Sequence, residues 1–144
     1  MYVRTTSGPP IGFTIQSNGA LALASSSNVS FGGGGMAFDS PFLYILDFSV
    51  FDTSVNFQTG ALTLVGSTSL GQPETDHVAA CHRVVYASTD LPPYRDAGVS
   101  AFTFDAAGNA STVPGSPFRA GTFHVGALLA DSSCRFLFGA EHSL

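Results

Sequence analysis

Two stretches of this chain read almost alike: NGALALASS at Asn18 to Ser26 and TGALTLVGS at Thr59 to Ser67, 41 residues apart. A repeat at a period of about 20 to 50 residues constrains a fold more than composition does, because each copy must be one supersecondary unit that buries itself against the next. A second landmark keeps step with the first. Met1-Tyr2-Val3, Leu43-Tyr44-Ile45, Val85-Tyr86-Ala87 and Leu137-Phe138-Gly139 are four copies of an aromatic strand centre; the three tyrosines are 42 residues apart and Phe138 follows 52 later. Gly19, Gly60 and Gly108 each open a segment ending in small residues, and each lies 25, 26 or 30 residues before the next aromatic centre.

Within one period there are four short strand signals separated by Gly, Pro, Asp, Asn or Ser. In the last full period they are 77–81, 83–88, 98–105 and 110–113, and Val99-Ser100-Ala101-Phe102-Thr103-Phe104 alternates as a half-buried strand should. Asp131-Ser132-Ser133 and Asp39-Ser40-Pro41 are hairpin-tip sequences. No stretch carries sustained helical periodicity with caps. The expected class is therefore all-β, and four antiparallel strands recurring every 40 to 50 residues is the pattern of a β-propeller blade. The composition agrees: 44% apolar, 10% charged, with 16 Gly and 8 Pro in 144 residues.

The segments TGALTLVGS, VPGSPFRAG and FHVGALLADSSCRFLFGAE resemble the lactonase-type seven-bladed propellers, the family of 6-phosphogluconolactonase-like and YVTN-repeat proteins. The resemblance covers nearly the whole chain, and its motifs are mainly turn and packing residues. It implies a blade read from the central channel outward, beginning at the strand that carries His77 or His124 and ending at the GAL strand. On that register the expected units are a partial blade at 1–30, blades at 31–71 and 72–116, and a partial blade at 117–144. Such a chain does not close a ring of about four to eight blades by itself. Self-association, or the remaining blades of a longer chain, is the expected partner.

The candidate site follows from strand register. In an antiparallel hairpin the first residue of one strand lies beside the last of its partner, which brings His124 toward Glu141 and, one repeat earlier, His77 toward Asp90. Asp47 takes the carboxylate position in the preceding repeat. A histidine beside a carboxylate serves as a general base or holds a small polar ligand in the channel. The resemblance implies a cleft on this face with histidine and glutamate at similar positions, and it reaches His124 and Glu141 best. The family's Pro-Arg before that histidine is Thr122-Phe123 here, which removes an arginine suited to anionic substrates. A plain wet channel lined by these side chains is the competing structural reading.

Other features carry less chemistry. No metal-ligand spacing occurs, so neither a metal nor a cofactor is expected. Cys81 and Cys134 sit near the tips of corresponding hairpins, farther apart than the roughly 7 Å limit for a bridge if the hairpins are equivalent, and are expected as free thiols. His82 next to Cys81 points to the opposite strand face and does not make a nucleophile pair. Gly32 to Gly35 feeds a strand rather than a helix and is expected as a channel-face connection, not a phosphate cradle. The stretch Thr89 to Gly98 reads as a loop presenting Tyr94 and Arg95 to a partner.

Charge narrows the function classes. The five cations are all arginine and the net charge is −5, which disfavours nucleic acid, and the absence of lysine removes Schiff-base and P-loop chemistry. No apolar run reaches the length of a bilayer span, and no signal peptide stands in the chain. The sequons at Asn28 and Asn109 keep an extracytoplasmic location open. Two functions remain: a binding or structural module using its channel face or loops as a platform, or a lactone hydrolase in which His124 and Glu141 assist attack by water.

Overall fold

The computed structural model describes residues 2–3, 10–26, 34–47, 49–69, 77–91, 96–119 and 125–141. Every regular element among them is a strand, so the all-β expectation holds. Sheet 1 contains β1 (Tyr2–Val3), β2 (Ile11–Ile15) and β3 (Leu21–Ser26). Sheet 2 is the meander β4 (Met36–Asp39), β5 (Phe42–Leu46), β6 (Ser49–Val55) and β7 (Leu62–Ser69). Sheet 3 is β8 (Val78–Cys81), β9 (Val84–Leu91), β10 (Asp96–Phe104) and β11 (Ala110–Thr112), with β12 (Phe118–Arg119) also on β10. Sheet 4 is the hairpin β13 (Val125–Ala130) and β14 (Leu137–Glu141). All pairings are antiparallel.

The repeated glycines have a common cause. Gly19, Gly60 and Gly108 hold φ of 81°, 71° and 82°, the left-handed region where a Cβ is costly. Each closes the turn before the last full strand of its sheet. The turns are also built alike: Asn56 and Asp105 each accept two or more backbone N–H groups on one side-chain oxygen, and Asn18 accepts one from Ala20. At Gly108 the fit is also close, since a Cβ there would meet the Val65 carbonyl carbon at 2.7 Å. The sequence GAL is thus a turn-and-strand instruction rather than a ligand signature.

The core lies between sheets 2 and 3. β5 reads Phe-Leu-Tyr-Ile-Leu without alternation because both of its faces are covered. Tyr44 and Leu46 join Val50, Val78, Val85, Ala87, Phe102 and Phe104 in one buried cluster shared by the two sheets, and the Tyr44 and Phe104 rings meet at 5.5 Å. On the other face Leu43, Ile45 and Leu62 pack with Met36, Phe51 and Val55. Register is matched across the repeat: Tyr44 stands opposite Ala37 on the strand before it, and Tyr86 stands opposite Ala79.

Two sequence expectations are corrected. Cys81 and Cys134 are not free thiols but a disulfide, with Cα atoms 5.7 Å apart. The two hairpins are not equivalent at their tips: β8 and β9 are joined by His82 and Arg83 alone, while six residues, 131–136, join β13 and β14. The longer tip carries Cys134 back onto the end of β8. The stretch 89–98 is mostly strand, since β9 runs to Leu91 and β10 begins at Asp96, leaving a much shorter connection than expected.

Candidate functional site

His77 immediately precedes β8 and is half-buried. Its carbonyl accepts the Ser88 N–H at 3.0 Å, with the Ser88 Oγ at 3.4 Å, so the residue across from it is Ser88. Asp90 lies two residues farther along β9 and pairs through its backbone with Ala97. At the corresponding end of sheet 4, Glu141 pairs with Val125, the residue after His124. His124, Tyr94 and Arg95 lie outside the described residues. Asp47 sits in the turn between β5 and β6, its N–H donating to the Ser49 carbonyl. Gly34 and Gly35 run against β5: a Cβ on Gly34 would meet the Leu46 carbonyl oxygen at 1.8 Å, and Leu46 donates its N–H to Gly35. This backbone therefore continues sheet 2 at the same end as Asp47.

A charged cluster that sequence reasoning missed bridges sheets 2 and 3. His82 and Arg83 form the turn of the β8–β9 hairpin with φ of 51° and 64°, the two positive values of a type I′ turn but on residues that pay for them sterically. Arg83 holds the turn against sheet 2. Its N–H donates to Asp39 Oδ2 at 2.7 Å, its Nε to the Phe104 carbonyl at 3.1 Å, and its Nη2 to the Asp105 carbonyl. The guanidinium lies 3.7 Å over the Phe42 ring and forms an ion pair with Asp52 at 3.0 Å.

Asp52 is fully buried, directly opposite Tyr44 in the β5–β6 ladder. Desolvation pushes its carboxyl above the ordinary value, and the Arg83 charge opposes that shift. Burial likewise drives the Tyr44 phenol above its ordinary value, and its hydroxyl has no hydrogen bond among the described residues. The arrangement is a clamp: one cation ties two strands of sheet 2 to the turn of sheet 3. Its sequence signal was a lone aspartate on the inward register of the apolar strand SVFDTSV, two residues after Val50, in a chain whose cations are arginines and not lysines. Such an aspartate needs a cation brought from elsewhere in the fold.

A cleft of about 530 Å³ opens between sheets 1 and 2. Phe13, Met36, Leu43, Val55 and Phe57 give it apolar walls, with Thr14 and Asn56 as its polar members. The Asn56 side-chain carbonyl is taken up by the turn that follows it. Phe38 and Phe57 meet edge to face at 6.2 Å and are both largely exposed. Among the described residues no three His, Cys, Asp or Glu side chains gather as a metal site. No protein-family profile, curated protein or solved structure matches the chain.

Proposed function

We propose that the chain is part of a β-propeller, of the lactonase-like type its sequence resembles, acting as a binding and structural module whose channel-side rim and loops form an interaction platform. The observation that supports this reading is the four-stranded meander of sheet 2 followed by the five-stranded antiparallel sheet 3, the two packed through one buried cluster with Tyr44 and Tyr86 in matching register. Stacked sheets of this kind make a rigid support, and the Arg83 clamp and the disulfide add rigidity. On this reading His77, Asp90, His124 and Glu141 serve a small polar ligand at the channel rim, and Tyr94 with Arg95 serves a protein contact. Further sheets, from a second copy or a longer chain, complete the ring.

The second reading is a lactone hydrolase, favoured by one observation: Glu141 pairs through its backbone with Val125, the residue after His124, so the two candidate residues fall at the same end of sheet 4. One assay separates the two. Purified protein is offered simple lactones, and ring opening is followed by acid release. The module reading expects no turnover above the uncatalysed rate; turnover that disappears in a folded His124→Ala variant replaces it with the hydrolase.

A further inference from the structure

The tip of the β13–β14 hairpin is a turn that the chain also builds elsewhere. Gly108 donates its N–H to the Asp105 carbonyl, and the Asp105 carboxylate accepts the N–H groups of Ala107 and Asn109. Cys134 donates its N–H to the Asp131 carbonyl, and the Asp131 carboxylate accepts those of Ser133 and Arg135. The two turns match residue for residue, with Cys134 in the left-handed position of Gly108: φ is 57° at the cysteine and 82° at the glycine. Gly19 and Gly60 serve the equivalent turns of sheets 1 and 2. A side chain is sterically costly at such a position, so what this one gains from a cysteine is its sulfur. At the other end of the bridge, Cys81 leads directly into His82 and Arg83, the other non-glycine residues with positive φ among those described. The disulfide therefore joins two strained turns, and strain of this kind collects where a fold does something besides pack.

The two sulfurs are reachable and unlike. Both cysteines are half-buried and line a recess of about 150 Å³ together with Tyr86, Arg135 and Leu137. Cys81 Sγ lies 3.8 Å from the Asp131 carbonyl oxygen, an acceptor that suits a neutral thiol and disfavours a thiolate. Cys134 is followed by Arg135, which lines the same recess and whose Nε donates to the Ser133 hydroxyl at 3.1 Å. A neighbouring cation favours the thiolate. The other charges at the bridge are engaged: the Asp131 carboxylate accepts from the Ser133 hydroxyl and from the N–H groups of Ser133, Arg135 and Phe136, and the Arg83 guanidinium is turned toward Asp52. Disulfides that are strained and accessible are the ones that exchange.

We propose that the Cys81–Cys134 bridge is a site of thiol–disulfide exchange in the folded protein, with a dithiol as its reaction partner and Cys134 as the leaving sulfur. A thiolate of the partner attacks Cys81 Sγ through the recess. The Sγ–Sγ bond breaks, and its electron pair departs on Cys134 as a thiolate beside Arg135. The partner's second thiol loses its proton and attacks the partner sulfur of the mixed disulfide, which expels Cys81; that sulfur is protonated within reach of the Asp131 carbonyl. The dithiol gives up two electrons and two protons to become a disulfide, and the bridge receives them as two cysteines. Opening frees the tip 131–136 from the end of β8, and oxidation reverses it. The bridge is then a reversible latch, not only a brace, and this holds whichever function the fold serves.

Dithiothreitol added to the oxidised full chain in native buffer tests the exchange. Reduction is expected at a rate proportional to the dithiol concentration and unchanged by urea below the unfolding transition, with the strand signature of circular dichroism retained. Brief exposure to reduced glutathione, quenched with iodoacetamide and mapped by peptide mass, should find glutathione on Cys81 and the alkyl group on Cys134. Arg135→Gln, a change on an exposed residue, should slow native reduction by about five-fold, and Arg135→Lys should keep the wild-type rate. Reduction that saturates with dithiol and accelerates with urea in step with global unfolding overturns the proposal, because the bridge then opens only in the unfolded chain. Glutathione on Cys134 instead of Cys81, or an Arg135→Gln rate equal to wild type, overturns it as well, since the leaving sulfur is then not the one beside the arginine.

Discussion

Tyr44 illustrates a residue selected for its ring and tolerated for its hydroxyl. The ring fills space between sheets 2 and 3 against Phe104, while the buried hydroxyl finds no hydrogen bond among the described residues. A buried polar group left unpaired costs about 1 to 3 kcal/mol. Tyr44→Phe should therefore raise the unfolding free energy by about 1 kcal/mol, the net left after small packing losses. There is a second readout in alkali. The phenol titrates in the unfolded chain near 10.0 and higher in the native state, so the native state holds the proton more tightly and stability falls as pH rises above that value. The phenylalanine variant should lose this contribution, as denaturant midpoints on both sides of that pH would reveal; equal alkaline losses in the two proteins would disprove it.

At the scale of elements, sheet 4 is the weakly held one. No described residue from Val125 to Ala140 is buried, in contrast to β5, β9 and β10. What fixes the hairpin is contact with β8 and β9 together with the bridge from Cys81 at the end of β8 to Cys134 in the longer tip. A bridge spanning 53 residues stabilises by about 4 kcal/mol on the chain-entropy account. Cys134→Ser should lower the unfolding free energy by that order. Hydrogen exchange should then show early loss of protection in β13 and β14 while β5 and β9 stay protected; uniform loss across all sheets would mean the bridge supports the whole stack. The same elements show what could be read without coordinates. Strand class, turn positions and the matched tyrosines follow from local chemistry, which is why the glycines at 19, 60 and 108 and the apolar run Phe42 to Leu46 were legible. The disulfide and the Arg83 clamp were not, because each joins residues from different sheets. The bridge was further hidden by treating two hairpins as equal when one tip is longer. Of the candidate site, the strand-end positions of His77 and Glu141 were legible; the partner across from His77 was not, since strand pairing puts Ser88 there.

For the whole molecule, the acid range sets two kinds of carboxylate against each other. Asp131 and Asp105 cap exposed turns. The Ser133 hydroxyl and backbone N–H groups hold the Asp131 carboxyl below its ordinary 3.8, and the Asn109 side chain and backbone do the same for Asp105. Their contribution is present above 3.8 and disappears as pH falls through the lower native values. Asp52 behaves oppositely. Its native value is raised above 3.8 by burial, so the folded protein keeps the proton where the unfolded chain has lost it. Stability contributed by that group falls as pH rises from 3.8 through the native value, and the ionised form then depends on Arg83 to offset its desolvation. The net charge of −5 adds only a diffuse repulsion that salt screens. Urea midpoints measured across the acid range in high salt should therefore respond by slope rather than by level. Asp131→Asn should flatten the loss below 3.8, while Asp52→Asn should remove the decline above it despite lowering stability throughout by breaking the pair with Arg83. If Asp52→Asn lowers every midpoint equally and leaves the slope above 3.8 unchanged, the carboxyl is ionised in both states there, and the Arg83 charge outweighs burial at this site.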